Sequence, residues 1–332
     1  FDTNNLTIGR NGSNIAGAAI DSTLSTEGIA VTFVYADATK GWIVTESGLQ
    51  SDAPGPTFIT ATGGTITTCG DDKIHTFTGP GTFTVCSVSN CASNNIVSHV
   101  VVAGGGGGGG FGGGGAGGFR EVKNPVTPYT ASPLDGYSCA PNRVTVTATA
   151  FPITVGSGGA GNSSPRDKGV KGSNSVFSTV TSAGGGFGGA FGPSGEKDGG
   201  PGGSGGGAGT ICTPTYPPGT VGSGNTPPVS PPQGQNGGTG APSGGAYGGA
   251  GGGAGAVGTS APGSGAGAKG GAGVASSITG SSVTRAGGGG GAGGSPTDNA
   301  ALPGGGTGGT GGGGAGAPGP APTTAADGTA NT

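Results

Sequence analysis

Runs of glycine recur throughout the chain after residue 100 and limit what it can fold into. The stretches 104–118, 184–189, 202–209, 248–255, 287–294 and 304–316 are almost pure glycine with some alanine. Of the chain's 89 glycines, 77 fall in its last 232 residues. Glycine brings no side chain to bury and loses the most backbone entropy on ordering, so a conventional apolar core is out of reach there. Such a region is either disordered or held together by its own backbone hydrogen bonds. A net charge of −3 with 8% charged residues is not the highly charged composition of the usual disordered segment. The glycine fraction equals that of collagen, but the residues come in runs rather than in a strict Gly-X-Y repeat, which excludes a collagen triple helix.

Three runs are entered through the same kind of word: Val101-Val102-Ala103, Thr181-Ser182-Ala183 and Thr284-Arg285-Ala286 each precede glycine. This irregularly spaced internal repeat argues against a random low-complexity tract. The glycine runs are expected to be extended rods of polyproline-II type, three residues per turn with about 3.1 Å rise, so that 104–118 would span roughly 46 Å. Without Cβ atoms, neighbouring rods can approach and pair N–H with C=O sideways. The segments of ordinary composition, 119–156, 162–182, 210–236 and 295–303, become loops at the ends of the bundle. No helical periodicity appears. The expected fold is mainly β and irregular: small antiparallel β modules, then a glycine-rich bundle of polyglycine-II-like rods, with essentially no α-helix.

Residues 1–50 alternate or cluster β-branched and aromatic residues in "LTIGR", "VTFVYAD" and "GWIVTES", separated by turn signals such as Asn11-Gly12 and Lys40-Gly41. Phe33, Tyr35 and Trp42 read as packing residues. SDAPGPT at 51–57 reads as a linker, and 58–103 as β-rich lead-in to a glycine-rich domain at 104–332. Within it, strands near 72–78 and 82–88 are expected to form a hairpin about Gly79-Pro80-Gly81. The sequence has no methionine, even at position 1, and reads as a fragment or processed product.

Several chemistries find no support. GxGxxG matches throughout such a chain and carries no weight without a flanking strand and helix. The two histidines, His75 and His99, both fall in expected strands, and Asp71, Asp72, Asp167, Glu196 and Asp198 read as solvated turn residues. No catalytic, cofactor-binding or metal-ligating set emerges, and an enzyme is not expected. The five cysteines (Cys69, Cys86, Cys91, Cys139, Cys212) lack the CxxC pairs of structural zinc sites and read as free thiols or one local disulfide. No basic cluster points to nucleic acid, and no apolar stretch is long enough for membrane insertion as a helix.

Two stretches carry a family resemblance. "FDTNNLTIGRNGSNIAGAAIDSTLSTEGIAVTFVYADATKGWIVTES" resembles a small β module of phage tail-fibre and virion structural proteins, without its opening strands. "IHTFTGPGTFTV", "HVVVAGGGGGGGFGGGGAGGFRE", "FPITVGSGGAG" and "GSNSVFSTVTSAGGGFGG" resemble the glycine-rich domain of phage tail fibres and some bacterial surface proteins, over residues 60–332. The resemblance implies a virion adhesin: polyglycine-II rods, with variable loops at one tip that meet a host-surface protein or glycan receptor. Other virion proteins would be its partners and a homotrimer its assembly. The alternative is a secreted or cell-surface bacterial glycine-rich structural protein. Because glycine offers no side-chain chemistry, recognition is expected from 119–143 and 210–236, with Tyr129, Tyr137, Tyr216, Arg120 and Arg143 as candidate receptor contacts.

Overall fold

The computed structural model describes residues 5–26, 29–47, 57–162, 164–192, 196–210, 218–241, 247–262, 266–294, 304–318 and 325–332. Among these the regular structure is short antiparallel β-strands and two 3-10 turns, Ala92–Asn95 and Ala140–Asn142. The rest is irregular or extended chain, and no described residue is α-helical, in agreement with the expected fold class. The chain divides into two compact units, one of residues 1–62, 84–97 and 145–150, the other of 63–83, 98–144 and 151–332.

In the first unit, Val31–Asp37 pairs with Gly41–Ser47, and Leu6–Ile8 with Ser22–Leu24. The Asp37 carboxylate shapes the connecting turn by accepting the Thr39 and Lys40 N–H groups at 2.8 and 2.6 Å. Gly41 has φ +67°, and a Cβ on it would collide with the Asn14 carbonyl that accepts the Trp42 N–H; only glycine fits both demands. Ile15 is buried beside this strand. Tyr35 and Trp42 pack edge to face at 5.5 Å, yet remain 47% and 39% exposed, so their packing is with each other rather than in a core.

The second unit is organised by backbone hydrogen bonds between extended glycine segments. Gly104, Gly107 and Gly110 donate to Ser173, Val170 and Asp167, while Ala103, Gly106 and Gly109 donate to Gly118, Gly115 and Gly112. Every third N–H thus meets the same neighbour, and the intermediate donors turn to another. The segment 111–118 bonds to five neighbours, 103–109, 183–189, 204–207, 249–252 and 289–292. Successive segments run in opposite directions, because each register descends where the previous one rises. The peptide groups, not apolar side chains, hold these segments together.

The three-residue period also decides which positions can carry a side chain. At Gly104, Gly106, Gly107, Gly109 and Gly110 an added Cβ would strike a neighbouring backbone. At Gly105 and Gly108 it would rest at 3.7 and 3.6 Å, and the next position in that stripe is Phe111. In the 304–310 segment the exposed positions are 304, 307 and 310, and Thr307 and Thr310 occupy two of them. Asn236 and Thr239, and Thr220 and Ser223, obey the same spacing.

Three expectations need correction. The run 104–118 is not one straight rod: it bends at Gly110-Phe111-Gly112 and pairs with itself, Gly109 donating to Gly112 at 3.0 Å, because the halves satisfy each other's peptides. The strands at 72–78 and 82–88 exist as Asp72–Thr76 and Gly81–Ser87, but they do not pair as a hairpin. Asp72–Thr76 instead pairs with Thr65–Cys69 through Gly70-Asp71, with Gly70 at φ +59°, the geometry that suits a two-residue turn. Finally, 210–236 is not one loop. Residues 218–223 form an extended segment in which Gly199 and Gly202 donate to Thr220 and Ser223, since Gly219 and Gly222 fall where no Cβ fits.

Small β-hairpins gather at one end of the segments. His99–Val102 pairs with Phe119–Val122, Ser175–Phe177 with Val180–Ser182, and Val274–Ser276 with Val283–Arg285. The three repeated words are therefore equivalent junctions, each a hairpin strand feeding a glycine segment of the same direction through a buried alanine, Ala103, Ala183 or Ala286. Phe83, Phe151 and Phe177 form an aromatic cluster there with His75 and His99 at 5.0–6.4 Å between ring centres. Ala116, Phe119, Ala254, Val274 and Ala286 make a small apolar core beside it.

Candidate functional site

The hairpin-bearing end of the second unit holds two long excursions from the glycine segments, 119–143 and 224–233. They are ordered by buried polar side chains that the sequence alone did not single out. Glu121, 2% exposed, receives the Ser132 N–H at 2.8 Å and the Ser276 hydroxyl at 2.5 Å. Its backbone carbonyl accepts the Gly136 N–H. Asp135 accepts the N–H groups of Lys123 and Tyr137, each at 3.0 Å. Gln233, fully buried, donates its amide to Pro227 O and accepts Ala183 N–H, both at 2.8 Å. Its backbone carbonyl caps Phe119 N–H. A Cβ at Gly118 would run into the Gln233 amide oxygen, so the end of the glycine run is shaped to fit this side chain.

Asn142 joins the two excursions. Its amide nitrogen donates to Ser230 O at 2.8 Å and to Gly136 O at 3.2 Å, and its oxygen accepts the Arg120 guanidinium at 2.5 Å. A buried amide with all these partners fixes both loops relative to each other.

The structure brings four of the five candidate contact residues into the 119–143 excursion. Arg120 reaches Asn142 and Thr181 O, whereas Arg143 Nε donates to Tyr137 O at 2.6 Å and its guanidinium lies 4.6 Å from the Tyr137 ring centre. Burial holds the Arg120 guanidinium below its usual pKa, partly opposed by Cys139. Tyr129 sits apart from this pair. Its hydroxyl donates to Val122 O at 3.4 Å and Lys123 lies 5.8 Å from its ring centre. Burial, then the nearby Glu121 charge, push its phenol well above the usual tyrosine range. Tyr216 lies outside the described residues.

The only sequence signal for Glu121 was a carboxylate in the strand "FREV" directly after a glycine run. For Asn142 and Gln233 there was none, because each is defined by partners 88 and 50 residues away.

Among the described residues, no three histidine, cysteine or acidic side chains converge as metal ligands, and Cys69, Cys86, Cys91 and Cys139 are free thiols. His75 Nδ1–H donates to Gly63 O at 2.8 Å, and His99 is buried against Phe177; both serve the aromatic cluster. No described helix is long and apolar enough to cross a membrane.

A family model described as a glycine-rich domain matches residues 76–330. No curated protein and no solved structure matches the chain.

Proposed function

From the premise that this chain belongs to the glycine-rich domain family, whose model spans residues 76–330, we propose that it is a structural protein of a phage tail fibre or virion adhesin, not an enzyme, that presents host-recognition loops on a glycine-rich scaffold. The observation that carries this is the division of labour in the second unit. Glycine segments bond to one another through their backbones, and 119–143 and 224–233 meet at one end through Asn142. The glycine segments are bonded to one another through peptide groups, so exposed loop positions can vary without touching those bonds. The three-residue bonding period supports polyglycine-II geometry for the segments, the form to which the sequence resemblance also points. Site-bearing loops on a rigid support suit recognition of a protein or glycan surface.

The test is exchange of 123–143 and 224–232 for Gly/Ser segments in an assembled particle, leaving strand Phe119–Val122 intact. Adsorption to the host is expected to be lost while the particle remains assembled. Adsorption that survives both exchanges would make the chain a shaft or spacer.

A further inference from the structure

We propose that the 136–143 turn is an oxyanion-binding site, taking the carboxylate or phosphate group of an acidic glycan. The inference rests on the host-recognition reading for its biological partner, but not for its chemistry.

Arg143 is anchored on this turn and Arg120 is bonded to it through Asn142, and neither has an ion-pair partner among the described residues. Arg143 spends one of its five N–H donors, Nε, on Tyr137 O at 2.6 Å, and is held 4.6 Å from the centre of the same residue's ring. Stacking on an aromatic face and a backbone anchor fix the plane of the guanidinium, so the fork formed by its two terminal nitrogens is set in advance. Those terminal nitrogens have no protein partner among the described residues. Among the described residues the hydrogen-bond acceptors of Arg120 are neutral, Asn142 Oδ1 at 2.5 Å and Thr181 O at 3.4 Å. Both arginines are partly exposed, so a solute can reach them.

The acids of the neighbourhood are committed elsewhere. Glu121 is buried against Ser132 and Ser276, and Asp135 Oδ1 holds the N–H groups of Lys123 and Tyr137. Partly desolvated cations without an ion pair are unfavourable unless an anion completes them. A planar fork held flat is the donor geometry that matches a carboxylate or phosphate with two parallel hydrogen bonds. Pro141, exposed on the turn, and Pro231, beside Gly136, supply apolar surface against which a sugar ring can lie. Asn142 keeps the second loop, through Ser230, against this turn.

The experiment is calorimetric titration of the whole chain at physiological salt with glucuronate, glucose 6-phosphate and, as the neutral comparison, glucose. Binding of at least one of the two acidic sugars, with glucose silent, is expected; which of the two binds tells carboxylate from phosphate. Arg143→Gln should weaken that binding about tenfold or more, and Arg143→Lys, which keeps charge but loses the fork, should fall between. Unchanged melting temperatures would show that both variants fold. Absence of binding by the parent chain, equal binding of glucose, or undiminished binding by Arg143→Gln would each overturn the inference. Host adsorption by loop-exchanged particles sinks the adhesin reading alone, since this titration does not use a host.

Discussion

The Ser276 hydroxyl donates to Glu121 Oε1 at 2.5 Å, across 155 residues of chain. The bond ties the hairpin Val274–Ser276/Val283–Arg285 to the excursion that begins at Phe119–Val122. Because the other Glu121 oxygen holds Ser132 N–H, one buried carboxylate serves three parts of the chain. Glu121→Ala leaves both donors without a partner, at about 1–3 kcal/mol for each buried group left unsatisfied. Thermal unfolding should show a clear loss for Glu121→Ala, a smaller one for Ser276→Ala, and a double variant less damaged than the sum. Simple additivity would mean that the two side chains do not act on each other.

Neighbouring glycines in one run should respond oppositely to a methyl group. A Cβ on Gly107 would meet the Ala160 backbone, whereas one on Gly108 would rest 3.6 Å from Gly112 O. Neither position has positive φ. Gly107→Ala is therefore expected to destabilise by about 1–3 kcal/mol through overpacking. Gly108→Ala should be neutral or stabilising by up to about 1 kcal/mol, because alanine restricts the unfolded chain. Equal melting temperatures for the two variants would show that the run is a spacer without fixed neighbours.

Acid should weaken the opposite end of the bundle. Hydrogen bonds from the Thr220 hydroxyl and N–H, at 2.7 and 2.6 Å, hold the Asp198 carboxyl below its usual range. A carboxyl with a depressed folded pKa contributes stability that is complete above its unfolded pKa and is lost as pH falls through the folded value. Thr220→Val should accordingly lower the melting temperature at neutral pH, and the gap to the parent should close on acidification below the ordinary aspartate range. A gap that does not change with pH would show that the Thr220 hydroxyl acts by packing alone.

Removing the Asn142 amide should release the two loops together. In Asn142→Leu, Ser230 O and Gly136 O lose their donor and Arg120 loses an acceptor. Faster amide exchange is expected in both 136–143 and 224–233, with the glycine segments unchanged. Faster exchange confined to 136–143 would show that the loops are held independently.

The amino-acid sequence by itself determined the class of structure. Glycine runs remove the apolar core and leave the peptide groups as the cohesive element, and short strand-like words before an alanine mark where three of the runs begin. Both are local properties, so they are legible in Val101-Val102-Ala103 and Thr181-Ser182-Ala183 without knowledge of any neighbour. The tertiary structure alone decided that 104–118 folds back at Phe111, that Asp72–Thr76 pairs with Thr65–Cys69, and that 218–223 is an extended segment rather than part of a loop. It also decided which glycines are obligatory, because a Cβ is excluded only where another backbone lies against it, as at Gly107 and not at Gly108. The site follows the same division. Tyr137 and Arg143 stand out by residue type, whereas Glu121, Asn142 and Gln233 acquire their roles from partners far along the chain, and a buried hydrogen bond between distant residues leaves no periodic trace in either segment.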